Sequence, residues 1–178
     1  MTEQELIAGC VKQKRSFQEA LYKRYAGKMM AACLRYSNNR AEAEDSIQEG
    51  FMKVFDNMST FKFNGSLEGW IRRIMVNISL NKVRARRQIF ESIDEKFDIG
   101  TDASENAYEK LTGDDILKLV SLLPDGYRIV FNMFAIEGFT HAEIANKLGI
   151  GEATSRSQYA KAKKYLQNLI SKTETVRI

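Results

Sequence analysis

Thr140 to Leu166 reads THAEIANKLGIGEATSRSQYAKAKKYL, two short helices broken at a glycine. Thr140 can cap the first helix and Glu143 can close a capping box. Ala142, Ile144, Ala145 and Leu148 are helix-compatible and largely apolar, and Gly149 suits a left-handed stop. The second helix is expected from about Glu152 to Ile170, with Tyr159, Ala162, Leu166, Leu169 and Ile170 repeating at helical spacing. At ~100° per residue, Ala153, Ser157, Ala160, Lys161 and Lys164 fall on the opposite face. Small residues permit close approach, and Ser and Lys can contact base edges or phosphates. The pattern is that of a helix-turn-helix with its recognition helix second. The alternative is a helical hairpin whose basic face is merely solvated.

Working outward, the charge is distributed unevenly. Gln88 to Asp115 carries nine acids against Lys96 and Lys110, a net of −7. The total is +4, so the remainder carries +11. Two basic bodies separated by an acidic connector suit a polyanionic partner. A length of 178 residues allows one domain or two small ones. With a single Pro and few β-rich runs, the expected fold class is all-α: two small helical domains joined by a flexible acidic linker. The boundaries are 1–88, a linker over 89–111, a helix-turn-helix domain over 112–171 and a tail from 172, expected to fray. As a flexible coil the linker would hold its ends roughly 25 Å apart, and stretched it would reach on the order of 75 Å. Cys10 and Cys33 have no metal-ligand spacing and read as reduced core residues. With no signal peptide and no apolar run of membrane length, the expectation is a cytoplasmic protein without membrane insertion. No cofactor or metal is expected.

In the N-terminal part, Thr2 with Glu5 predicts one capped helix and Ser16 with Glu19 a second. The second carries Phe17, Ala20, Leu21, Tyr25, Met29, Cys33 and Tyr36 as a core stripe. A third helix, about Ala41 to Met58, has two faces. Ile47, Phe51, Val54, Phe55 and Met58 form the core face. Glu42, Asp45, Glu49, Met52, Lys53 and Asp56 lie opposite, either as a partner surface or as a solvated acidic face with one stray Met. The loop STFKFNGSLEG from Ser59 to Gly69 offers aromatics and a cation that can stack on and neutralise single-stranded bases. Phe61 is expected to pack beneath the loop; for Phe63 both readings stand. The fourth helix, about Leu67 to Arg87, places Leu67, Trp70, Ile71, Ile74 and Ile78 inward. Arg72, Arg73, Arg84 and Arg87 lie on or near the other side with Lys82 and Arg86 at its margin. Six cations and no acid after Glu68 point to phosphate binding. Beyond the linker, Ile116, Leu117 and Val120 are expected inward on a short helix. Pro124-Asp125-Gly126 makes a turn, and Tyr127, Val130, Phe131 and Phe134 are expected buried on the next helix, which ends at Gly138.

Assembled in this order, the residues resemble an extracytoplasmic-function sigma factor of bacterial RNA polymerase, over Phe17 to Leu169. AEDSIQEGFMKVF (Ala43 to Phe55) resembles the segment that docks on the polymerase clamp helices. The resemblance implies that Asp45, Gln48, Glu49 and Met52 contact the clamp. FKFNGSLEGWIRRIMVNISLNKVRARR (Phe61 to Arg87) resembles the segment that melts and reads the minus-ten element. There Phe63, Asn64, Gly65 and Ser66 would hold a flipped base, with Arg72, Arg73, Asn77, Arg84 and Arg87 on the DNA. The region from Leu122 to Leu166 resembles the family's minus-thirty-five reader, which also touches the polymerase flap. Ala153, Thr154, Arg156, Ser157, Ala160, Lys161 and Lys164 would contact that element. Two departures stand out. Ala153-Thr154-Ser155 occupies the family's usual glycine-threonine-valine, with Ser155 toward the core face, and Gln158 stands where Arg is common. The implied partners are core RNA polymerase, promoter DNA and an anti-sigma factor, with the protein itself a monomer.

Two other classes fit less well. A duplex-binding regulator would share the helix-turn-helix but leaves the Phe61–Ser66 loop without a role, and no dimer seam is visible. An enzyme acting on nucleic acid lacks a P-loop, a metal cluster or an activated nucleophile. His141, the sole histidine, is expected to be a surface residue in a helix's first turn.

Overall fold

The computed structural model describes residues 1–86 and 112–175, and among these every regular element is helical. The linker expected over 89–111 and the end of the tail lie outside the described residues. The chain divides into two compact units after Ala85.

In the first unit, α1 spans Glu3–Val11 and opens on the expected capping box, with Glu5 N donating to Thr2 Oγ1 at 3.2 Å and Thr2 N to Glu5 Oε2 at 2.7 Å. The Thr2 amide hydrogen bond holds the Glu5 carboxyl below its ordinary range. α2 spans Arg15–Leu34, and here an expectation fails. Lys14, not Ser16, occupies the N-cap, and no side chain caps the helix. Glu19 pairs with Arg15 at 3.1 Å instead. The reason is the tight connection after α1: Gln13 takes φ +53° and Lys14 N donates to Gly9 O at 3.0 Å. The Phe17 ring sits on Gly9, where an added Cβ would lie 2.1 Å from Phe17 Cγ. This contact draws the helix start back, so that Ser16 falls inside the first turn.

α3 spans Arg40–Asp56 and begins at the Asn38-Asn39 break, Asn39 Oδ1 accepting from Glu42 N at 2.9 Å. A 3₁₀ turn at Met58–Thr60 leads through the loop to α4, Leu67–Ala85. The core gathers Leu21, Tyr25, Met29 and Cys33 of α2, Ile47, Phe51 and Val54 of α3, and Leu67, Ile71 and Met75 of α4. α4 is buried over a wider arc than its first turns predict, since Val76, Ser79, Leu80 and Val83 are buried as well. Cys10 and Cys33 are buried thiols, and burial pushes both up in pKa, away from reactive thiolate.

In the second unit, α5 spans Gly113–Ser121 and is capped by a Thr112–Asp115 box. Its inward residues are Val120, with Leu123 just beyond and Leu119 partly covered. Ile116 and Leu117, expected inside, remain 41% and 39% exposed, because α5 enters the core only at its C-terminal end. α6 spans Asp125–Phe131 and continues into a π-helical turn, Asn132–Ile136. Tyr127 and Val130 are buried as expected, whereas Phe131 and Phe134 are only half-buried. The widened turn carries Phe134 away from the core, and Met133 takes the buried place.

α7 spans His141–Leu148 and α8 spans Glu152–Thr175. The Thr140–Glu143 capping box forms, and Gly149 takes φ +71° as the left-handed stop. Ile144 and Leu148 of α7 are buried, as are Ala162, Leu166 and Ile170 of α8. α8 runs beyond Ser171, where fraying was expected. Among the described residues no helix is long and apolar enough to cross a membrane.

Candidate nucleic-acid interface

Three surfaces follow from this framework. On α3, Asp45, Gln48, Glu49 and Met52 are all exposed. Met52 is 62% exposed, an apolar side chain in a charged neighbourhood, while Phe51 beside it is buried. Glu49 and Lys53 are paired at 3.0 Å, both in solvent, an interaction worth about 0–1 kcal/mol that does little to hold either side chain. Glu42 turns back to accept from Asn38 N at 2.8 Å and belongs to the helix cap.

The second surface is the loop before α4. Phe61 is buried, as expected, and its ring contacts Trp70 at 5.5 Å. Phe63 is 59% exposed, so it does not pack beneath the loop as Phe61 does. Its backbone has φ +58°, a region costly for a bulky residue, and Gly65 follows at φ +112°. Asn64, Gly65 and Ser66 are exposed beside it. Ser66 Oγ accepts from Gly69 N at 3.1 Å, which caps the start of α4 and leaves the hydroxyl one donor and a second lone pair. On α4, Arg73, Asn77 and Arg84 are exposed and fall within an arc of ~40°. Arg72 is half-buried, and Arg87 lies outside the described residues. Glu68, the last acid before this run, is held by Lys28 Nζ at 2.5 Å.

The third surface is the start of α8. Ala153, Thr154, Arg156, Ser157, Ala160 and Lys164 are exposed, and Lys161 is half-buried. Arg156 pairs with Glu152 one turn earlier. The inner face holds the two departures from the family pattern: Ser155 and Gln158 are both buried. Gln158 thus points away from any ligand on the exposed face, and its Oε1 has no hydrogen-bond partner.

His141 is not the surface residue expected. It is half-buried, stacked on Phe134 with centroids 4.4 Å apart and planes at 16°, and meets Tyr159 edge-on with centroids 5.9 Å apart. Its Nδ1 lies 2.9 Å from Ser155 Oγ. Burial lowers the His141 pKa, the Arg156 cation lowers it further, and Glu152 opposes both. Sequence spacing could not show this cluster, because the π-helical turn that delivers Phe134 shifts the register. Among the described residues no group of acids, His and Cys could hold a metal ion.

A two-unit helical protein with a capped helix-turn-helix and basic exposed faces is a DNA-binding transcription factor in class. Comparison with known proteins gives its family. Sigma-70 region 2 matches residues 21–89, and Sigma-70 region 4 matches residues 113–166. The chain belongs to the extracytoplasmic-function sigma factors of RNA polymerase, which are transcription initiation factors and not enzymes. SigE of Mycolicibacterium smegmatis is 29% identical over 159 residues, covering 86% of this chain and 62% of that protein. The sigma-E factor of Haemophilus influenzae is 26% identical over 184 residues, covering 96% of each. SigW of Bacillus subtilis is 26% identical over 160 residues, 80% of this chain and 83% of its own. The solved structure of CnrH in complex with the cytosolic domain of CnrY shares the fold, with a TM-score of 0.50 at 17% identity over 95% of this chain and 97% of that one.

Proposed function

We propose that this sigma factor binds core RNA polymerase through the exposed face of α3, melts and reads the minus-ten element with the Phe63–Ser66 loop and α4, and reads the minus-thirty-five element with α8. The observation that carries the reading is Phe63, an exposed aromatic held in a left-handed backbone beside Gly65. Sterically costly conformations persist where function uses them. An aromatic in solvent beside Asn64 suits stacking and edge contacts to an unpaired base. Arg73 and Arg84 on α4, with Arg87 after it, supply phosphate neutralisation. Met52, ringed by Asp45, Gln48 and Glu49, suits an anchor on the polymerase clamp.

The second unit acts as the duplex reader. The face of Ala153, Ser157 and Ala160 is small enough to enter a major groove, with Thr154 and Arg156 at its edges and Lys161 and Lys164 farther along. On α5 and at its C-cap, Ile116, Leu117 and the 61%-exposed Leu122 offer an apolar contact for the polymerase flap. The acidic segment over 89–111 serves as the linker between the two readers, the protein works as a monomer in the cytoplasm, and an anti-sigma factor is the expected regulator. The test is transcription in vitro with purified core polymerase on a randomised promoter library. Recovery of promoters with two spaced conserved elements supports the reading; initiation with no enrichment of an upstream element overturns the role of α8.

A further inference from the structure

The His141–Ser155 contact joins the first residue of α7 to the fourth residue of α8. Ser155 is fully buried, and a buried hydroxyl needs a hydrogen-bond partner. The imidazole is itself fixed, stacked on Phe134, which in turn packs on Tyr159 at 4.5 Å. The bond therefore links two held groups across the turn. An apolar side chain at 155 would make contacts without direction, whereas a hydrogen bond weakens steeply off axis. The neighbours of Ser155 are Thr154 and Arg156, both exposed, with Ser157 next along. A rotation of α8 by about 20° would move side-chain atoms at a radius of about 5 Å by about 2 Å. Base contacts need placement within about 0.5 Å.

We propose that the His141–Ser155 hydrogen bond is a positioning contact for DNA reading, fixing the rotation of the start of α8 against α7 and so the presentation of Thr154, Arg156 and Ser157. This rests on the reading of α8 as the duplex reader. His141 and Ser155 touch no DNA; they act through the residues between and beside them.

Two substitutions separate the bond from the stack. His141→Phe keeps a ring against Phe134 and removes the nitrogen. His141→Asn loses the ring but keeps a polar atom near the place of Nδ1. The full chain is titrated with duplexes carrying single-base variants of the upstream element, and amide residual dipolar couplings of α7 and α8 are measured without DNA. His141→Phe and Ser155→Ala should each reduce discrimination between best and variant duplexes by roughly three- to tenfold. Combined, they should do no more than either alone, because one bond is lost in every case. His141→Asn should retain most of the discrimination. The couplings should show α8 turned relative to α7 in His141→Phe and not in His141→Asn. Unchanged couplings and discrimination in His141→Phe overturn the inference, as does equal loss in His141→Phe and His141→Asn. Absence of any base preference in the unaltered chain overturns instead the duplex-reader reading on which the inference rests.

Discussion

The rings of Phe61 and Phe63 lie 5.0 Å apart and tilted by 55°, yet one is buried and the other is largely in solvent. The buried ring forms a floor, and the exposed ring stands on it. Replacing Phe63 by Gly removes a ring contact worth about 0.5–1.5 kcal/mol and relieves a left-handed backbone costing about 1–2 kcal/mol. The two effects nearly cancel, so Phe63→Gly should leave unfolding free energy within about 1 kcal/mol of the unaltered protein. Open-complex formation should fall nonetheless, and more than closed-complex binding, because the stacked base exists only after melting. Asn64→Ala should behave likewise in permanganate footprinting. Equal loss of closed and open complexes would remove the loop from base capture.

The exposed face of α3 gives a second expectation. Met52→Asp and Glu49→Lys alter solvent-facing side chains, so helix content and thermal midpoint should change little. Affinity for core polymerase should fall by about 1.5–3 kcal/mol, the range of an interface anchor. Fluorescence anisotropy with labelled sigma measures this directly, and unchanged affinity in both variants excludes α3 from the interface.

Local chemistry explains which features could be read from the sequence. The caps at Thr2 and Thr140, the stop at Gly149 and the two faces of α3 depend on residues within a turn or two of each other. The Ser16–Glu19 pair obeys the same local rule and fails, because Phe17 on Gly9 fixes the helix start through a contact between helices. His141 and Phe134 are misplaced for a related reason: the π-helical turn adds a residue that no periodicity announces. The charge of the candidate site and the exposure of Asp45, Glu49, Met52 and Ser157 were legible in the same local terms, whereas the exposure of Phe63 and the partial burial of Arg72 and Lys161 were not. Base capture and clamp docking were not, and came from resemblance, since spacing alone also fits a solvated face.

Two glycines should respond oppositely to the same change. An added Cβ at Gly27 of α2 meets nothing within 4 Å, so Gly27→Ala should stabilise by about 0.5–1 kcal/mol through backbone entropy. At Gly50 of α3 the Cβ would lie 2.1 Å from Met75 Sδ and 2.8 Å from Cε. Met75 is wholly buried, so Gly50→Ala should destabilise by about 1–3 kcal/mol. Urea denaturation reads both. Met75→Ala in the Gly50→Ala background should cost less than in the parent, since the two side chains compete for one space.

The histidine cluster should make stability depend on pH. The folded His141 pKa lies below the ordinary 6.5, chiefly through burial and then through Arg156, against Glu152. The unfolded chain therefore binds the proton more readily. The contribution is fully present above about pH 6.5 and is lost as pH falls from there through the folded value. His141→Phe cannot titrate at this site. The stability gap between parent and variant should thus shrink between pH 7.5 and pH 5.5, measured by chemical denaturation at both. A gap that widens on acidification would mean that the folded state favours imidazolium.

The outward face of α8 changes character along its length, small and polar at Ala153 and Ser157 and basic at Lys164. A groove excludes bulk, and phosphate attracts charge, so the start of the helix should meet bases and the later lysine the backbone. Ser157→Ala should then change which upstream bases are tolerated, by roughly 1 kcal/mol. Lys164→Ala should weaken all duplexes nearly equally and reduce the salt slope by about one, since one phosphate contact is lost. Arg156 lies between these two behaviours. In the free protein it is paired with Glu152, and freeing it for a base or a phosphate means breaking an exposed ion pair of small worth. The measurement is binding to single-base variants of the upstream element at two salt concentrations. If Lys164→Ala shifts base preference while Ser157→Ala does not, the opposite end of α8 enters the groove.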